Sequence, residues 1–162
     1  MQQQILELGS LPRNAVHPSA RVGDVAEQRE RVVREALSWI GTNYHHHGRV
    51  KGEAVDCAML LAEVYERAGI IPHVEVEHYP HDWHLHRGEE VYAGWLSRYA
   101  HEVADPKPGD VALFRYGRAY SHGGIVIEGA LIVHAYMNLG VMMSHWWEQP
   151  LEGRAVRFWS LW

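Results

Sequence analysis

The sequence contains a single cysteine, Cys57, at a point where a helix is expected to begin. The positive end of a helix dipole favours negative charge, so a thiol placed there should have a lowered pKa and react readily as a nucleophile. Cysteine catalysis also needs a base that takes the thiol proton and a third group that orients the base. His122 and His134, each at one end of an apolar segment, could fill these two positions. The alternative is that Cys57 is a small buried residue and that the two histidines are unrelated.

The segments around the two histidines predict a β-hairpin that brings their side chains together. GGIVIE and ALIVHA are typical of strands, joined here by a three-residue loop that ends at Gly129 in the left-handed conformation. This register pairs Val126 with Ala130 and places His122 directly opposite His134. Because both separations are even, the two imidazoles should leave the same face of the sheet. One ring could then accept the thiol proton while the other fixes its tautomer.

Apolar periodicity predicts three helices in the first two thirds of the chain. The first follows a candidate N-cap at Asp24, the second is apolar nearly all round, and the third is amphipathic. Their predicted bounds are Val25 to Ile40, about Asp56 to Ala68, and Val91 to Val103. The segment TNYHHHGRVKGEAV and residues 70–88 are predicted to be irregular loops.

Downstream of DPKPGD, residues 105–110, the chain is predicted to form strands. Their predicted bounds are Val111–Phe114, Gly124–Ile127, Ala130–Ala135, Val141–Ser144 and Arg154–Trp159. Helices first and strands afterwards are typical of the α+β class, here an antiparallel sheet with helices packed against it. We therefore expect an irregular N-terminal arm, residues 1–23, followed by one domain, residues 24–162.

Length and composition limit the classes of function. The chain has 162 residues, of which 47% are hydrophobic, enough for one domain with a sizeable core. Its formal net charge of −5 disfavours nucleic-acid binding, which depends on neutralising phosphates. No apolar segment is long enough to cross a membrane, and residues 1–18 lack the features of a secretory signal peptide. We expect no membrane insertion and no export signal of the chain's own.

The sequence is rich in histidine, with 13 residues of this type. Two groups of histidines are candidates for zinc ligands, since residues 82, 84 and 86 of the later group would share one face of an extended segment. They are the triplet His45, His46 and His47, and the later set His81, Asp82, His84 and His86. Because no HExxH or similar framework accompanies them, we expect solvated or substrate-facing loops, with no metal and no cofactor.

The order of the chemistry-bearing residues, cysteine first and histidines after it, is that of papain-like peptidases. The sequence resembles the NlpC-type cell-wall cysteine peptidases, a compact papain-like family. The resemblance covers most of residues 39–135 and is carried by WIGTNYHHHGRVKGEAVDCAMLLAEVYERAG, PKPGDVALF and SHGGIVIEGALIVHA. The GRVKG and DWHLHR segments make it more similar to the branch found in phage and prophage tail modules.

This resemblance implies a role for five residues. Cys57 would be the nucleophile, His122 the general base and His134 the group that orients the base. Tyr44 would help to shape the oxyanion site, and Asp56 would face the free amine of the substrate peptide. The family commonly has Ser-Gly after its Asp-Cys pair, whereas this chain has Ala-Met, which affects the expected specificity.

The resemblance implies a cysteine endopeptidase that hydrolyses peptide bonds in peptidoglycan stem peptides without a cofactor. Since the wall lies outside the membrane, we expect the protein to be made in the host cytoplasm and carried to the wall in a phage tail. Other tail-tip proteins would be its partners, docked on the N-terminal arm or on the tryptophan-rich C-terminus. The alternatives are a structural tail-tip protein on an inactive peptidase scaffold and a papain-like amidase or acyltransferase.

Overall fold

The structure, a computed structural model, describes residues 22–75 and 91–162. Its class is α+β, as the sequence predicts. The helices in these two ranges are α1 Val22–Leu37, α2 Cys57–Arg67 and α3 Val91–Leu96. The strands are β1 Asn43–Tyr44, β2 Arg49–Val50, β3 Ala54–Val55, β4 His101–Val103, β5 Val111–Tyr116, β6 Ala119–Glu128, β7 Leu131–Tyr136, β8 Gly140–His145 and β9 Val156–Ser160. Nearly all of the predicted N-terminal arm and the later histidine group lie outside the described residues.

The first helix begins three residues earlier than predicted, at Val22. Asp24 lies inside the first turn of α1, so the predicted N-cap at this residue is wrong, because the helical backbone already includes Val22. A carboxylate in the first turn still favours the helix through the helix dipole. The chain leaves α1 through a turn that ends at Gly41, which has φ of +87°.

The second helix has the bounds and the burial that the sequence predicts. Asp56 is its N-cap and Ala68 its C-cap, and Gly69 follows with φ of +72°. Its central side chains are almost fully buried, which is why the helix is apolar nearly all round. Burial of each such side chain is worth about 1.5–3 kcal/mol, so α2 is firmly anchored. Cys57, its first residue, is anchored with it.

The segment between α1 and α2 contains a small sheet where the sequence predicted an irregular loop. β1 pairs in parallel with β3, and β2 pairs antiparallel with β3. Each of these strands has only two residues, too few for an alternating pattern to show in the sequence. Gly48 allows the tight packing, since a Cβ there would lie 2.8 Å from the Ala54 carbonyl. The small sheet places Tyr44 beside the start of α2.

The large sheet has six antiparallel strands in the order β4-β9-β5-β6-β7-β8. The five predicted strands are all present, and their ends differ from the predicted bounds by up to five residues. β6 is the longest, because it continues upstream of the apolar run to Ala119. The sheet therefore carries His122 within a strand, not in the loop before it.

The third predicted helix is present only in its first half, and the prediction is wrong for the second half. α3 stops at Leu96, and His101–Val103 form β4, which pairs with the end of β9. Pairing with an otherwise unpaired strand edge outweighs the helical periodicity of this segment. Residues 76–90, which include most of the predicted histidine-rich loop, lie outside the described residues.

Two apolar cores lie on opposite faces of the large sheet. The larger one joins α1, α2 and α3 to the face that carries Leu113 and Ile125. The smaller one, around Phe114 and Ile132, is closed by Leu151 from the segment between β8 and β9. Within the described residues, no helix is both long and apolar enough to cross a membrane.

Candidate active site

The start of α2 holds Cys57 through a capping interaction. Asp56 has extended backbone, and its Oδ1 accepts a hydrogen bond of 2.9 Å from the Met59 N–H. Its Oδ2 accepts a second hydrogen bond of 2.8 Å from the His47 N–H. These bonds satisfy one of the free amides of the helix start and tie the preceding loop to it.

The Cys57 thiol lies against the edge of β6 that faces β7. Sγ donates to the Ser121 carbonyl oxygen at 3.9 Å, and the Gly123 N–H points to the sulfur. The Gly123 N–H points towards β7, because Val126 bonds to the β5 side and the direction alternates along the regular part of the strand between them. The registered pairs of β6 and β7 begin only at Gly124. The sulfur therefore occupies the gap in the sheet just beyond the last pair.

The thiol is protonated at neutral pH. Burial, together with the Asp56 carboxylate, raises the pKa of Cys57 to about 12. The N–H groups of Gly123, Cys57 and Ala58 favour the thiolate, as expected near a helix start, but burial outweighs them. The predicted lowering of the thiol pKa is therefore wrong for this structure, and a nucleophilic Cys57 needs a base.

The two histidines of the predicted hairpin are in direct contact. Nε2 of His122 lies 2.9 Å from Nδ1 of His134, with the rings nearly perpendicular at 88°. The predicted placement on one face is confirmed, but the predicted register is wrong by two residues, since His134 pairs with Gly124. The cause is the turn: Ile127 is left unpaired as a bulge, and only Gly129 and Ala130 connect the strands. A register shift of two residues leaves both histidine side chains on the same face of the sheet. Gly129 has the predicted positive φ, +53°.

A third polar side chain, Ser144, extends the pair to β8. Its Oγ lies 3.0 Å from Nε2 of His134, and it is buried. Sequence reasoning placed Ser144 at the end of a strand but missed this contact. The serine within the strand GVMMSH was the available signal in the sequence. The contact itself depends on the strand register, in which Ser144 pairs with Ile132, two residues before His134 and on the same face.

Burial keeps both imidazoles neutral. It lowers the pKa of His134 to about 4. It also lowers the pKa of His122 well below its usual value, with smaller contributions from His134 and from the positive charge of Arg154. No hydrogen bond joins Cys57 to His122 in the part of the chain that the structure describes. The resting site thus holds a neutral thiol and a neutral histidine pair.

Tyr44 lies beside Cys57 and Asp56. Burial raises the pKa of the Tyr44 hydroxyl above its ordinary value, and the negative charges of Cys57, when it is ionised, and of Asp56 raise it further. The hydroxyl therefore remains a hydrogen-bond donor at any physiological pH. This placement suits the oxyanion role that the resemblance implies for Tyr44.

Asp56 is a buried capping residue, with only 1% of its surface exposed. Both of its oxygens accept protein hydrogen bonds, and Nδ1 of His46 lies 3.5 Å from Oδ2. His47 adopts a positive φ of 60°, a conformation that is uncommon outside glycine. Two members of the first histidine triplet, His46 and His47, therefore contact the cap, whereas His45 is exposed. A contact of Asp56 with a substrate amine stays a prediction.

Aromatic rings and one arginine surround His122. The rings of Tyr116 and Tyr136 lie 5.4 and 5.5 Å from the His122 ring, measured between centroids. Arg154 stacks on Tyr116 with its guanidinium carbon 3.4 Å from the ring centroid. In residues 22–75 and 91–162 there is no group of three or more His, Cys, Asp or Glu side chains placed to hold a metal ion.

A cysteine at the start of a buried helix, set against a histidine pair on an antiparallel sheet, defines a papain-like α+β protein. Residues 41–160 match the model of the NlpC/P60 family, so the chain belongs to that family. The comparison with curated protein sequences gave no match.

Solved structures show the same fold. NlpC1 from Trichomonas vaginalis is 20% identical, with a TM-score of 0.57 over 82% of this chain and 44% of its own length. The NlpC/p60 domain of the peptidoglycan hydrolase SagA is 18% identical, with a TM-score of 0.53 over 80% of this chain and 96% of its own. A lipoprotein-like NLP/P60 protein from Staphylococcus aureus is 21% identical, with a TM-score of 0.55 over 81% of this chain. This chain covers 41% of the staphylococcal protein, so it corresponds to less than half of that relative.

Proposed function

We propose that this chain is a cysteine endopeptidase that hydrolyses peptide bonds in peptidoglycan stem peptides. The observation that carries the proposal is the Cys57 thiol in the gap of the sheet beside the hydrogen-bonded chain from His122 through His134 to Ser144. Membership of the NlpC/P60 family supports it, as does the fold shared with the domain of a peptidoglycan hydrolase.

The first chemical step is a proton transfer from the Cys57 thiol to His122, coupled to attack on the scissile carbonyl. Because both groups are neutral at rest, the proton moves only as the sulfur forms its bond to carbon. The N–H of Cys57, at the first position of α2, has no partner within the helix and is free to stabilise the oxyanion, together with the Tyr44 hydroxyl. His122 then gives its proton to the leaving amine, which departs and leaves a thioester on Cys57.

The second step is hydrolysis of the thioester. His122 takes a proton from water, the hydroxide adds to the thioester carbon, and the thiolate leaves and recovers the proton. The products are the free thiol and a carboxylic acid, which loses its proton to the solvent and becomes a carboxylate.

His134 and Ser144 set the tautomer that this cycle needs. A base that receives the thiol proton on Nδ1 must carry its other proton on Nε2, which donates to Nδ1 of His134. His134 must then carry its own proton on Nε2 and donate it to Ser144 Oγ. We assign His134 the orienting role and Ser144 the role of fixing the His134 tautomer.

A test of the function is digestion of purified peptidoglycan with the wild-type protein and with Cys57→Ala, followed by mass spectrometry. New stem fragments that need Cys57 support the peptidase, and their new termini identify the bond. Release of whole stem peptides from the sugar would favour the amidase alternative. Absence of products from several wall types would favour the structural role on an inactive scaffold.

We also propose that a phage tail delivers the protein to the cell wall. The similarity of the GRVKG segment, which includes β2, to tail-module members of the family supports it. The test is to look for the protein in purified virions or tail particles of the producing strain. Its recovery as a free periplasmic protein would contradict tail delivery and leave the peptidase proposal intact.

A further inference from the structure

Arg154 lies beside the proposed catalytic histidine and carries an unmatched positive charge. We infer that Arg154 binds a free carboxylate of the substrate peptide. This inference rests on the peptidase function proposed above and adds a specificity-determining contact to it.

The guanidinium group of Arg154 is held in a fixed position. It stacks on Tyr116, and its Nε donates to the Pro150 carbonyl oxygen at 3.3 Å. The Tyr116 hydroxyl donates to the same carbonyl at 3.2 Å. Nε and one face of the group are occupied, and the guanidinium also bonds to the Tyr116 hydroxyl, so the donors that remain are on the terminal nitrogens. Such a preorganised planar fork loses little side-chain freedom when it binds a carboxylate.

Arg154 differs from the other half-buried basic side chains in residues 22–75 and 91–162. Each of the others has a carboxylate partner within the protein. The pairs are Arg29 with Asp110, Arg31 with Glu27, Arg49 with Glu63 and Glu66, Lys51 with Glu35, and Arg157 with Glu102. Arg154 has no carboxylate partner in these ranges. A partly desolvated positive charge carries a cost in free energy when no negative charge lies beside it. A carboxylate of the substrate would supply that negative charge.

The position of Arg154 connects binding to chemistry. Its platform, Tyr116, is 5.4 Å from the His122 ring, and the Arg154 charge disfavours protonation of His122. The other side chains that face His122 are Phe114, His134 and Tyr136, all uncharged. A carboxylate on Arg154 would offset its charge and make His122 a stronger base when substrate is bound.

The experiment compares three stem peptides that differ only in their carboxylates. One has all carboxylates free, one has its side-chain carboxylate amidated, and one has its C-terminal carboxylate amidated. For the wild-type protein we expect kcat/KM to fall about tenfold or more for one of the amidated peptides, the usual effect of losing a charged hydrogen bond. Which peptide is affected identifies the carboxylate.

Arg154→Gln should cleave all three peptides at similar low rates. Arg118→Gln is the matched control, since Arg118 is an exposed arginine in the turn between β5 and β6, and it should discriminate as the wild type does. Equal rates for all peptides with the wild type, or full discrimination by Arg154→Gln, would overturn the inference. If Arg154→Gln does not fold, Arg154→Lys takes its place, with weaker discrimination expected because lysine lacks the planar fork.

Binding measurements separate this inference from the proposed function. In Cys57→Ala, calorimetry with the same peptides needs no turnover. We expect Cys57→Ala to bind the peptide with free carboxylates more tightly than the amidated peptides. We expect the double variant Cys57→Ala/Arg154→Gln to lose this difference. This result would support the Arg154 site even if the wild type cleaves nothing. Cleavage of all peptides together with equal binding would support the peptidase and contradict the Arg154 site.

Discussion

His122 and His134 are joined by a hydrogen bond of 2.9 Å although they do not lie opposite each other in the sheet. His134 pairs with Gly124, two residues from His122. Ser144 is displaced from His134 in the same way, since it pairs with Ile132. The three polar side chains therefore form a diagonal line across β6, β7 and β8, which a twisted sheet brings into contact. This line determines which imidazole nitrogens can carry protons.

Replacing Ser144 should disturb catalysis through the tautomer of His134. In Ser144→Ala, Nε2 of His134 loses its acceptor, so the ring is free to protonate on Nδ1 and can no longer accept from His122. We expect kcat to fall about tenfold with KM unchanged, the cost of one lost hydrogen bond. Nitrogen-15 chemical shifts of the two rings should report the tautomer change without any substrate.

Ser144→Thr is the matched control, because it keeps the hydroxyl. It should retain the wild-type nitrogen shifts and most of the activity. An unchanged tautomer in Ser144→Ala, with activity lost, would mean that Ser144 only supports packing.

Stability should fall on acidification because His134 is buried neutral. Its folded-state pKa is about 4, below the ordinary value of 6.5, so between these values the unfolded chain binds more protons. The contribution of neutral His134 to the free energy of unfolding is fully present above pH 6.5. It is lost as the pH falls towards 4, by at most about 3 kcal/mol. Urea unfolding at pH 7 and pH 4.5 measures it. His134→Gln should show a smaller loss, and an identical pH dependence would contradict the assignment.

Asp56 should stabilise the helix and also hold the thiol protonated. Asp56→Ala should lower the free energy of unfolding by about 1–2 kcal/mol, since Met59 N–H loses its capping acceptor. Asp56→Asn keeps one acceptor but removes the charge, and should cost less stability. Both variants should lower the thiol pKa from about 12, because the Asp56 charge is one of its two causes. The pH dependence of Cys57 alkylation measures this, and an unchanged profile would argue against the charge effect.

Gly123 should be intolerant of a side chain, because β6 and α3 approach closely there. A Cβ on Gly123 would lie 2.6 Å from the Tyr92 hydroxyl oxygen, which itself donates to the Cys57 carbonyl at 3.2 Å. Gly123→Ala should therefore reduce stability by about 1–3 kcal/mol and displace Cys57. Gly94→Ala, in α3 with open space around it, should be neutral or stabilising by up to about 1 kcal/mol. Thermal unfolding of the two variants compares them directly.

The sequence allowed prediction of the features with long periodic signals. The buried helix α2 and the hairpin with its two histidines are where periodicity and turn chemistry placed them, whereas the capping role of Asp56 was not predicted. The register was missed by two residues because a bulge at Ile127 leaves no mark on the alternation that a single sequence shows.

Features that depend on tertiary contacts were not predictable. Val103 lies in a strand because β9 offers a free edge, although its spacing fits a helix. Ser144 joins the histidines only through the β7–β8 register. The pKa of Cys57 follows its burial, and the position of a residue at a helix start does not reveal how deeply it is buried.

Hydrolysis of a stem peptide in the presence of hydroxylamine tests most directly whether Cys57 acts through an acyl intermediate. A thioester on Cys57 would be captured by the added amine, so the wild type should yield the hydroxamate of the acyl fragment as well as its free acid. Cys57→Ala should yield neither product. Formation of the free acid alone by the wild type, with cleavage persisting in Cys57→Ala, would contradict the account.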